Sequence, residues 1–269
     1  DDVLMKVTHV LRGEDLLSST PRQIRVYQAM GLALEDYPVF AHLPFVMGQD
    51  NAKLSKRNGE VSIAWYRDKG FLPEAICNYL ALLGWSPGDD RENVTMKELT
   101  ELFTVEKVHS SPARFDMKKL EAINGDKIRA LTIDEFLDWS LPFLTKAGVI
   151  TGTADEIALV KLALPLIQER IIMLSEVPAM LKFLFVKNFA VEADSVAKIT
   201  DDASKQVLQR SLKELEPLAT WNHDSIEAAL RSSLIEEMGL KPRIAFGAVR
   251  IATTGSTISP PLFESMELL

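Results

Sequence analysis

Three cations fall within five consecutive residues, Lys53-Leu54-Ser55-Lys56-Arg57, and Asn58-Gly59 follow directly. Asparagine and glycine favour a turn, so we expect these cations on a loop whose backbone can approach a ligand closely. Lysine brings a compact, mobile positive charge to phosphate oxygens, and such a loop therefore suits a polyanion whose charge grows during reaction. The alternative is a solvated basic turn, which is the commoner explanation of such a pentapeptide taken alone.

A second polar group follows the first apolar stretch of the chain. Residues 3–11 are mostly apolar and partly β-branched, which predicts a parallel strand buried on both faces. Arg12-Gly13-Glu14-Asp15 comes next, at the carboxyl end of that strand, where ligands bind in open α/β sheets. His42 lies in another apolar stretch, and taken alone it fits a packing role better than a catalytic one. For the charged residues after the strand, the alternative is an ordinary surface turn.

Helix signals dominate the rest of the chain. Thr20 is the predicted N-cap of a helix with Pro21 in its first position and Gln23 completing a capping box. Further helix starts are predicted at Pro73 and at the pairs Thr95 with Glu98, Thr132 with Glu135, Thr153 with Glu156 and Asp224 with Glu227. Helix ends are predicted at Gly31, Gly84, Gly125, Gly148 and Gly239, and an interruption at Pro165. The sequence therefore predicts a mainly α chain.

Composition narrows the classes of protein that remain. The 269 residues are 47% hydrophobic and 25% charged, which is typical of a soluble globular protein with room for about two domains. Cys77 is the only cysteine, so neither a disulfide framework nor a cysteine-based zinc site is expected. The net charge of −8 argues against indiscriminate coating of nucleic acid but leaves room for a local basic face.

Several motifs in fixed order resemble one family. HVLRGED and STPRQ precede AHLP and KLSKR, and GFLPEAICNYLALLGW and SSPARFDMKKLEAINGDKIR follow. The set resembles the carboxyl-terminal half of bacterial glutamyl-tRNA synthetases, which are class I aminoacyl-tRNA synthetases. KLSKR is similar to the second ATP-binding motif of that class, usually written KMSKS. The resemblance implies the remnant of an α/β nucleotide-binding (Rossmann-like) domain followed by an all-helical tRNA-binding region.

The sequence also departs from the family pattern. None of the four histidines, His9, His42, His109 and His223, begins a His-x-Gly-His motif or its His-x-Gly-Thr variant. The arginine and tyrosine that the family uses near its amino terminus to hold glutamate are missing as well. We therefore expect a fragment that lacks the first part of the catalytic domain and does not form glutamyl-adenylate by itself. The expected division is residues 1–50 for the catalytic part, 51–131 for the KLSKR loop and stem-contact region, and 132–190 and 191–269 for two anticodon-binding lobes.

The resemblance implies roles for residues near the nucleotide. Lys56 would act on the pyrophosphate leaving group, with Lys53 as a second cation and Ser55 orienting the loop that also includes Leu54 and Arg57. Arg12 would hold the amino acid, because a guanidinium pairs bidentately with a carboxylate. Gly13 and Asp15 would border the nucleotide, with His42 near its adenine end. ATP with Mg²⁺ is the expected substrate, and no protein-bound metal is expected.

The remaining implied roles concern RNA. Arg114, Lys118 and Lys119 would contact phosphates at the inner corner of the tRNA, and Arg170 would read the anticodon. Asn124-Gly125 belongs to the same family motif, although Ala122 stands where the motif usually has tryptophan. For any single surface cation the alternative is a solvating charge. The resemblance implies that the partners are tRNA(Glu), ATP and L-glutamate, and we expect a monomer. The single cysteine favours a reducing cytoplasm, and the apolar runs are too short or too interrupted to span a membrane.

Three alternatives to a glutamyl-tRNA synthetase follow from these residues. The related glutaminyl enzyme is disfavoured because its anticodon-binding part is a β-barrel, whereas residues after 95 follow a helical pattern. The glutamyl-queuosine synthetase paralogue is disfavoured because it has no anticodon-binding part. A non-catalytic tRNA-binding module is favoured by the absent first motif and disfavoured by KLSKR and RGED.

Overall fold

The computed structural model describes residues 1–48, 54, 62–109, 111–187, 189–191 and 193–269. The chain divides into two compact units, Asp1–Asn124 and Gly125–Leu269. The boundary between them falls inside the helix Met117–Ala130. The finer division into four parts stays a prediction.

The first unit contains both short sheets and the helices that follow them. Its strands are β1 (His9–Gly13), β2 (Val39–Leu43), β3 (Val46–Met47) and β4 (Ala113–Arg114). Its helices are α1 (Thr20–Ala29), α2 (Ile63–Lys69), α3 (Pro73–Leu82), α4 (Met96–Leu102) and α5 (Met117–Ala130), the last of which crosses into the second unit. Glu14–Ser19, Leu34–Asp36 and Val105–Lys107 are short 3₁₀-helices.

β1 pairs with β2 in parallel, and the register places His9 beside Val39 and Gly13 beside Leu43. The predicted parallel strand is therefore confirmed, but its predicted limits and burial are wrong. Residues 2–6 form turns, and no residue of β1 is fully buried. In the described residues β1 has one neighbouring strand, and a parallel strand is buried on both faces only when further strands and helices cover it.

The helical part of the first unit has its own small core. Trp85, Val94 and Leu99 are buried together, and Leu102 and Val108 pack against them. Thr95 begins α4 with the predicted capping box, in which its hydroxyl accepts from the Glu98 N–H and the Glu98 carboxylate accepts from the Thr95 N–H. Both bonds satisfy N–H groups that the first turn of a helix leaves without a partner.

In the part of the chain that the structure describes, the regular secondary structure of the second unit is entirely helical. Its helices are α6 (Ile133–Lys146), α7 (Ala154–Ala163), α8 (Pro165–Gln168), α9 (Val177–Leu181), α10 (Ala193–Val196), α11 (Asp202–Leu215), α12 (His223–Leu230), a π-helix (Arg231–Glu237), α13 (Pro242–Thr254) and α14 (Leu262–Glu267). Leu174–Glu176 and Lys182–Leu184 are 3₁₀ turns. Val207, Ile226, Leu230, Leu234 and Val249 lie at the centre of one core cluster of this unit. The prediction of a mainly α chain is confirmed.

Local signals located several helix boundaries in this unit. Capping boxes begin α6 at Thr132 and α7 at Thr153, as predicted. Gly148 and Gly239 follow helix ends with φ of 66° and 67°, a region that glycine enters without steric cost. Pro165 separates α7 from α8, because a proline inside a helix removes a hydrogen bond and crowds the preceding turn.

The predicted start at Asp224 is wrong by two residues. Asn222 is the N-cap of α12, and its side-chain oxygen accepts from the Ser225 N–H at 2.9 Å. Asparagine and aspartate are about equally good N-caps, so the sequence offered two neighbouring candidates. Among the described residues, no helix combines the length and the apolar character needed to cross a membrane.

The capping box at Thr153 yields a prediction about stability and pH. The Glu156 carboxylate accepts backbone N–H groups of Thr151, Gly152 and Thr153 at 2.9–3.0 Å. The hydrogen bond from the Thr153 N–H is the largest of the effects that lower the pKa of Glu156 to about 2. A carboxyl group whose pKa is lower in the folded state stabilises the fold above its unfolded pKa, and this contribution is lost as the pH falls through the folded pKa.

We therefore expect Glu156→Gln to be less stable than the unmodified chain at pH 7, with a difference that shrinks as the pH falls from about 4.5 towards 2. Urea unfolding followed by circular dichroism at several pH values measures it. Glu236→Gln, at an exposed position, is the matched control and should give a small difference at every pH. A destabilisation by Glu156→Gln that stays constant down to pH 3 would contradict the expectation.

Candidate functional site

The carboxyl ends of β1 and β2 bring Arg12 and His42 together. They occupy the same level of the parallel register, and Arg12 Nε donates towards His42 Nε2 at 3.4 Å. The guanidinium also lies over the Phe40 ring, 5.4 Å from its centre. Phe40 precedes His42 by two residues and so shares its face of β2. Two residues that were predicted to contact different substrates, the amino acid for Arg12 and the nucleotide for His42, therefore form one contact pair.

Thr20 joins this pair, and its predicted role as an N-cap is wrong. The N-cap of α1 is Ser19, whose side chain makes no capping bond, and Thr20 is the first helical residue. Its hydroxyl accepts a hydrogen bond from Arg12 Nη2 at 2.8 Å and lies 3.2 Å from His42 Nε2. The sequence rule places a threonine before a proline at the cap, but here Ser19 takes that position and leaves the Thr20 hydroxyl for Arg12.

Gly13 and Asp15 lie at the end of β1, in the turn that leads to α1. A Cβ atom on Gly13 would stand 2.5 Å from Asp15 Oδ1, so the Asp15 carboxylate occupies the space beside this glycine. Glu14 Oε1 accepts from the Phe45 N–H at 3.2 Å and thus ties this turn to the segment after β2. The carboxylates of Glu14 and Asp15 therefore lie at the end of β1, next to Arg12.

Most of the KLSKR loop cannot be placed against these residues. Lys53, Ser55, Lys56 and Arg57 lie outside the described residues. Leu54 is described and half-buried, and its N–H donates to the Val46 carbonyl at 3.0 Å. The roles assigned to the four outer residues of this motif stay predictions.

The three cations around the start of α5 differ in their surroundings. Arg114 is exposed on β4, and Lys118 is exposed in the first turn of α5. Lys119 Nζ forms an ion pair with Glu92 Oε1 at 2.8 Å, which partly neutralises its charge. For Lys118 the described residues include no ion pair of the side chain, so its charge is open to an external anion.

Buried polar contacts hold α5 in place within the first unit. Asn124 is fully buried, and its Oδ1 accepts from the Leu72 N–H at 2.8 Å, at the start of α3. The Tyr79 hydroxyl of α3 accepts from the Asp116 N–H at 2.5 Å, one residue before α5. Burial is the main cause that raises the pKa of Tyr79, so this hydroxyl stays protonated at neutral pH.

Gly125 lies inside α5, so its prediction as a helix end is wrong. A Cβ atom there would stand 3.1 Å from Ile172 Cγ2 and 3.2 Å from Arg129 Nη1. The glycine therefore allows close packing of α5 against the segment that contains Ile172. The sequence rule failed because glycine serves both helix ends and close approaches, and only the packing distinguishes them.

In the second unit, Arg170 is exposed beyond the end of α8 and lies near Arg250 of α13. Arg250 Nη1 donates to Ser259 Oγ at 2.5 Å and to the Pro260 carbonyl at 2.7 Å. Burial, and after it the nearby charge of Arg170, lowers the pKa of Arg250. Sequence analysis missed Arg250, since nothing in its local pattern distinguishes it from other helical arginines. No group of three or more metal-ligating side chains occurs among the described residues.

Comparisons with known proteins identify the family. Residues 1–122 match the model of the catalytic domain of class I tRNA synthetases (E and Q), and residues 114–269 match the model of an anticodon binding domain. Glutamate–tRNA ligases of Saccharopolyspora erythraea and of a Nocardioides species are each 50% identical to this chain and align with all of it. The chain belongs to the glutamate–tRNA ligase family. It spans about half the length of these two ligases, 54% and 56%.

A solved ligase structure supports the same assignment at the level of the fold. The crystal structure of the glutamate tRNA ligase from Elizabethkingia meningosepticum, in complex with its amino acid, matches with a TM-score of 0.79 and 27% identity. The match covers all of this chain and 55% of that one. Arg12, Thr20 and His42 lie in the part that matches the catalytic domain of class I synthetases. Arg170 lies in the part that matches the anticodon-binding domain.

The anchoring of α5 gives a prediction about stability. Replacing Asn124 with alanine leaves the buried Leu72 N–H without its acceptor, and we expect this to cost about 2 kcal/mol of unfolding free energy. Chemical denaturation of the two variants Asn124→Ala and Asn93→Ala measures the effect. Asn93 is exposed, so its variant should stay within about 0.5 kcal/mol of the unmodified chain. Equal stabilities of the two variants would show that Asn124 does not anchor α5.

Proposed function

We propose that this chain takes part in the ATP-dependent attachment of glutamate to tRNA, as part of a glutamate–tRNA ligase. The observation that carries the proposal is the cluster of Arg12, Thr20 and His42 at the carboxyl ends of two parallel strands. Ligands of open α/β folds bind at that edge of the sheet. The same residues lie within the match to a class I catalytic domain.

The proposed reaction has two steps. A carboxylate oxygen of glutamate attacks the α-phosphorus of ATP, and the bond between that phosphorus and the oxygen that bridges it to the β-phosphorus breaks. Pyrophosphate leaves with that bridging oxygen, and the products of this step are glutamyl-adenylate and pyrophosphate. A ribose hydroxyl of the terminal adenosine of tRNA then attacks the activated carbonyl, and AMP leaves. In the first step catalysis depends mainly on positioning and on stabilising the charge that accumulates on the phosphates.

Arg12 is the proposed binding residue for the amino acid. Its Nε and Nη2 contact His42 and Thr20, and among the described residues nothing hydrogen-bonds to Nη1. One nitrogen of the guanidinium is thus available to a carboxylate. Gly13, Asp15 and His42 are proposed to border the nucleotide.

The KLSKR loop supplies the proposed catalytic cations. Lys56 acts on the pyrophosphate as it leaves, Lys53 adds a second positive charge, and Ser55 orients the loop. Leu54 and Arg57 complete the ATP-binding motif. Mg²⁺ would enter as the counter-ion of ATP and offset part of the triphosphate charge.

The RNA-binding proposal rests on cations in each unit, of which Arg114, Lys118 and Arg170 are exposed and Lys119 is half-buried. Arg114, Lys118 and Lys119 are proposed to contact phosphates, and Arg170 to contact the anticodon. The position of Arg250 beside Arg170 supports an anionic or hydrogen-bond-accepting ligand there, because both guanidinium groups are positively charged. We further propose that the protein works as a cytoplasmic monomer.

A tRNA-binding module without catalytic activity is the second candidate. It would need the anticodon-binding part but not a shaped site at the strand ends. Arg12, Thr20 and His42 contact each other in a defined geometry, which favours the ligase over this candidate.

The first test concerns Lys56 in the protein expressed at its full natural length. If Lys56 stabilises the leaving pyrophosphate, Lys56→Ala should lower kcat for ATP–pyrophosphate exchange by about 100-fold while KM for ATP changes little. Lys97→Ala, an exposed lysine of α4, is the control and should leave both constants unchanged. If KM for ATP rises and kcat does not change, Lys56 only binds the ground state.

The second test concerns tRNA binding by this chain. Binding should weaken as salt rises, because each phosphate contact releases counterions. Lys118→Ala should weaken the binding of all tRNAs about equally and reduce the number of counterions released on binding by about one. Arg170→Ala should instead reduce the discrimination among tRNAs with different anticodons. Fluorescence titrations with glutamate tRNA and an unrelated tRNA measure both effects. If Arg170→Ala lowers the affinity for every tRNA equally, Arg170 contacts a phosphate and does not read the anticodon.

A further inference from the structure

The contacts of Arg12 are unequal in length. Its Nη2 donates to Thr20 Oγ1 at 2.8 Å, in the ordinary range for a hydrogen bond. Its other hydrogen-bond contacts, to His42 Nε2 and to the Leu16 carbonyl, are both 3.4 Å long. A hydrogen bond weakens as it lengthens beyond about 3.2 Å, so the Thr20 hydroxyl provides the strongest directional restraint on the guanidinium.

The Thr20 hydroxyl can serve Arg12 and His42 at once. A hydroxyl group has one proton to donate and two lone pairs that accept. Arg12 occupies one lone pair, since a guanidinium only donates, and the hydroxyl keeps a proton and a second lone pair for the contact with His42 Nε2 at 3.2 Å.

The position of Thr20 in α1 keeps its hydroxyl available. A threonine inside a helix commonly bonds the carbonyl of the preceding turn, and one at the N-cap bonds the N–H of the first turn. Thr20 is the first helical residue and does neither. Its side chain is half-buried, so water can replace a lost partner and removal of the hydroxyl should hardly change the stability of the fold.

We propose that Thr20 is a positioning residue for substrate recognition: its hydroxyl orients the Arg12 guanidinium so that Nη1 faces the carboxylate of the amino acid. Phe40 adds a second contact to the same group, because the guanidinium carbon lies over its ring at 5.4 Å from the centre. The proposal rests on the proposed role of Arg12 in binding glutamate. A hydrogen bond to a charged group typically contributes about tenfold or more to an equilibrium, and this sets the size of the effect to be measured.

The test uses the full-length protein in glutamate-dependent ATP–pyrophosphate exchange. Thr20→Val keeps the shape of the side chain without the hydroxyl, and it should raise KM for glutamate about tenfold. KM for ATP and the melting temperature should stay close to those of the unmodified protein. Thr20→Ser restores the hydroxyl and should recover most of the affinity. Ser18→Ala, on the exposed 3₁₀ turn before α1, is the matched control and should change nothing.

Variants of Arg12 separate this inference from the proposed function. Arg12→Gln should raise KM for glutamate strongly, and adding Thr20→Val to it should have no further effect, because the two residues act through one contact. An unchanged KM for glutamate in Thr20→Val, with the Arg12→Gln effect present, overturns the inference alone. An unchanged KM in Arg12→Gln overturns both the role of Arg12 and the inference. If Thr20→Ser and Thr20→Val raise KM for glutamate equally and both lower the melting temperature, Thr20 only stabilises the fold, and the inference is overturned.

Discussion

The parallel register of β1 and β2 is the constraint on which the candidate site depends. It places Arg12 level with His42, and it places Phe40 on the same face as His42. Successive side chains of a strand point to opposite faces, so a shift by one residue would move His42 and Phe40 away from Arg12 together. The turn after β1 then brings the first residue of α1, Thr20, to the same edge. One pairing thus assembles a site from three segments of the chain.

Two fully buried asparagines have a comparable role in the helical part of the first unit. Asn124 binds the backbone N–H of Leu72, and Asn78 binds the N–H of Val94 and the carbonyl of Glu92. A buried amide is costly unless its hydrogen bonds are made, and here each amide satisfies backbone groups of a loop. Glu92 in turn pairs with Lys119, so the same framework determines which cations of α5 remain open to solvent.

The chain carries a net negative charge, but the proposed RNA contacts involve a few cations at particular positions. Arg250 donates hydrogen bonds to the uncharged oxygens of Ser259 and Pro260. Its positive charge is therefore not neutralised by these contacts, and it lies near the charge of Arg170. Lys118 is exposed on another unit of the chain. A net charge of −8 therefore opposes nonspecific adhesion to RNA, while a few placed cations can still bind phosphates at defined positions.

The sequence by itself determined the helical character of the chain, several helix starts and the family. Capping residues and prolines act within a few positions of the backbone they affect, so Thr132, Thr153 and Pro165 were sufficient evidence for their boundaries. Ordered motifs were enough for the family because their combination is specific even where each piece is weak.

The tertiary structure decided the contacts between distant segments. Thr20 satisfies the local rule for an N-cap, yet its hydroxyl binds Arg12, and Gly125 satisfies the rule for a helix end, yet it allows close packing against Ile172. Arg250 carries no local signal at all, and its position beside Arg170 arises only from the packing of α13. Local rules consider only the hydrogen-bond partners and steric contacts within one segment of the backbone. A side chain can find a stronger partner on another segment, and then the local rule no longer predicts its contact. Only the folded chain shows which partner it takes.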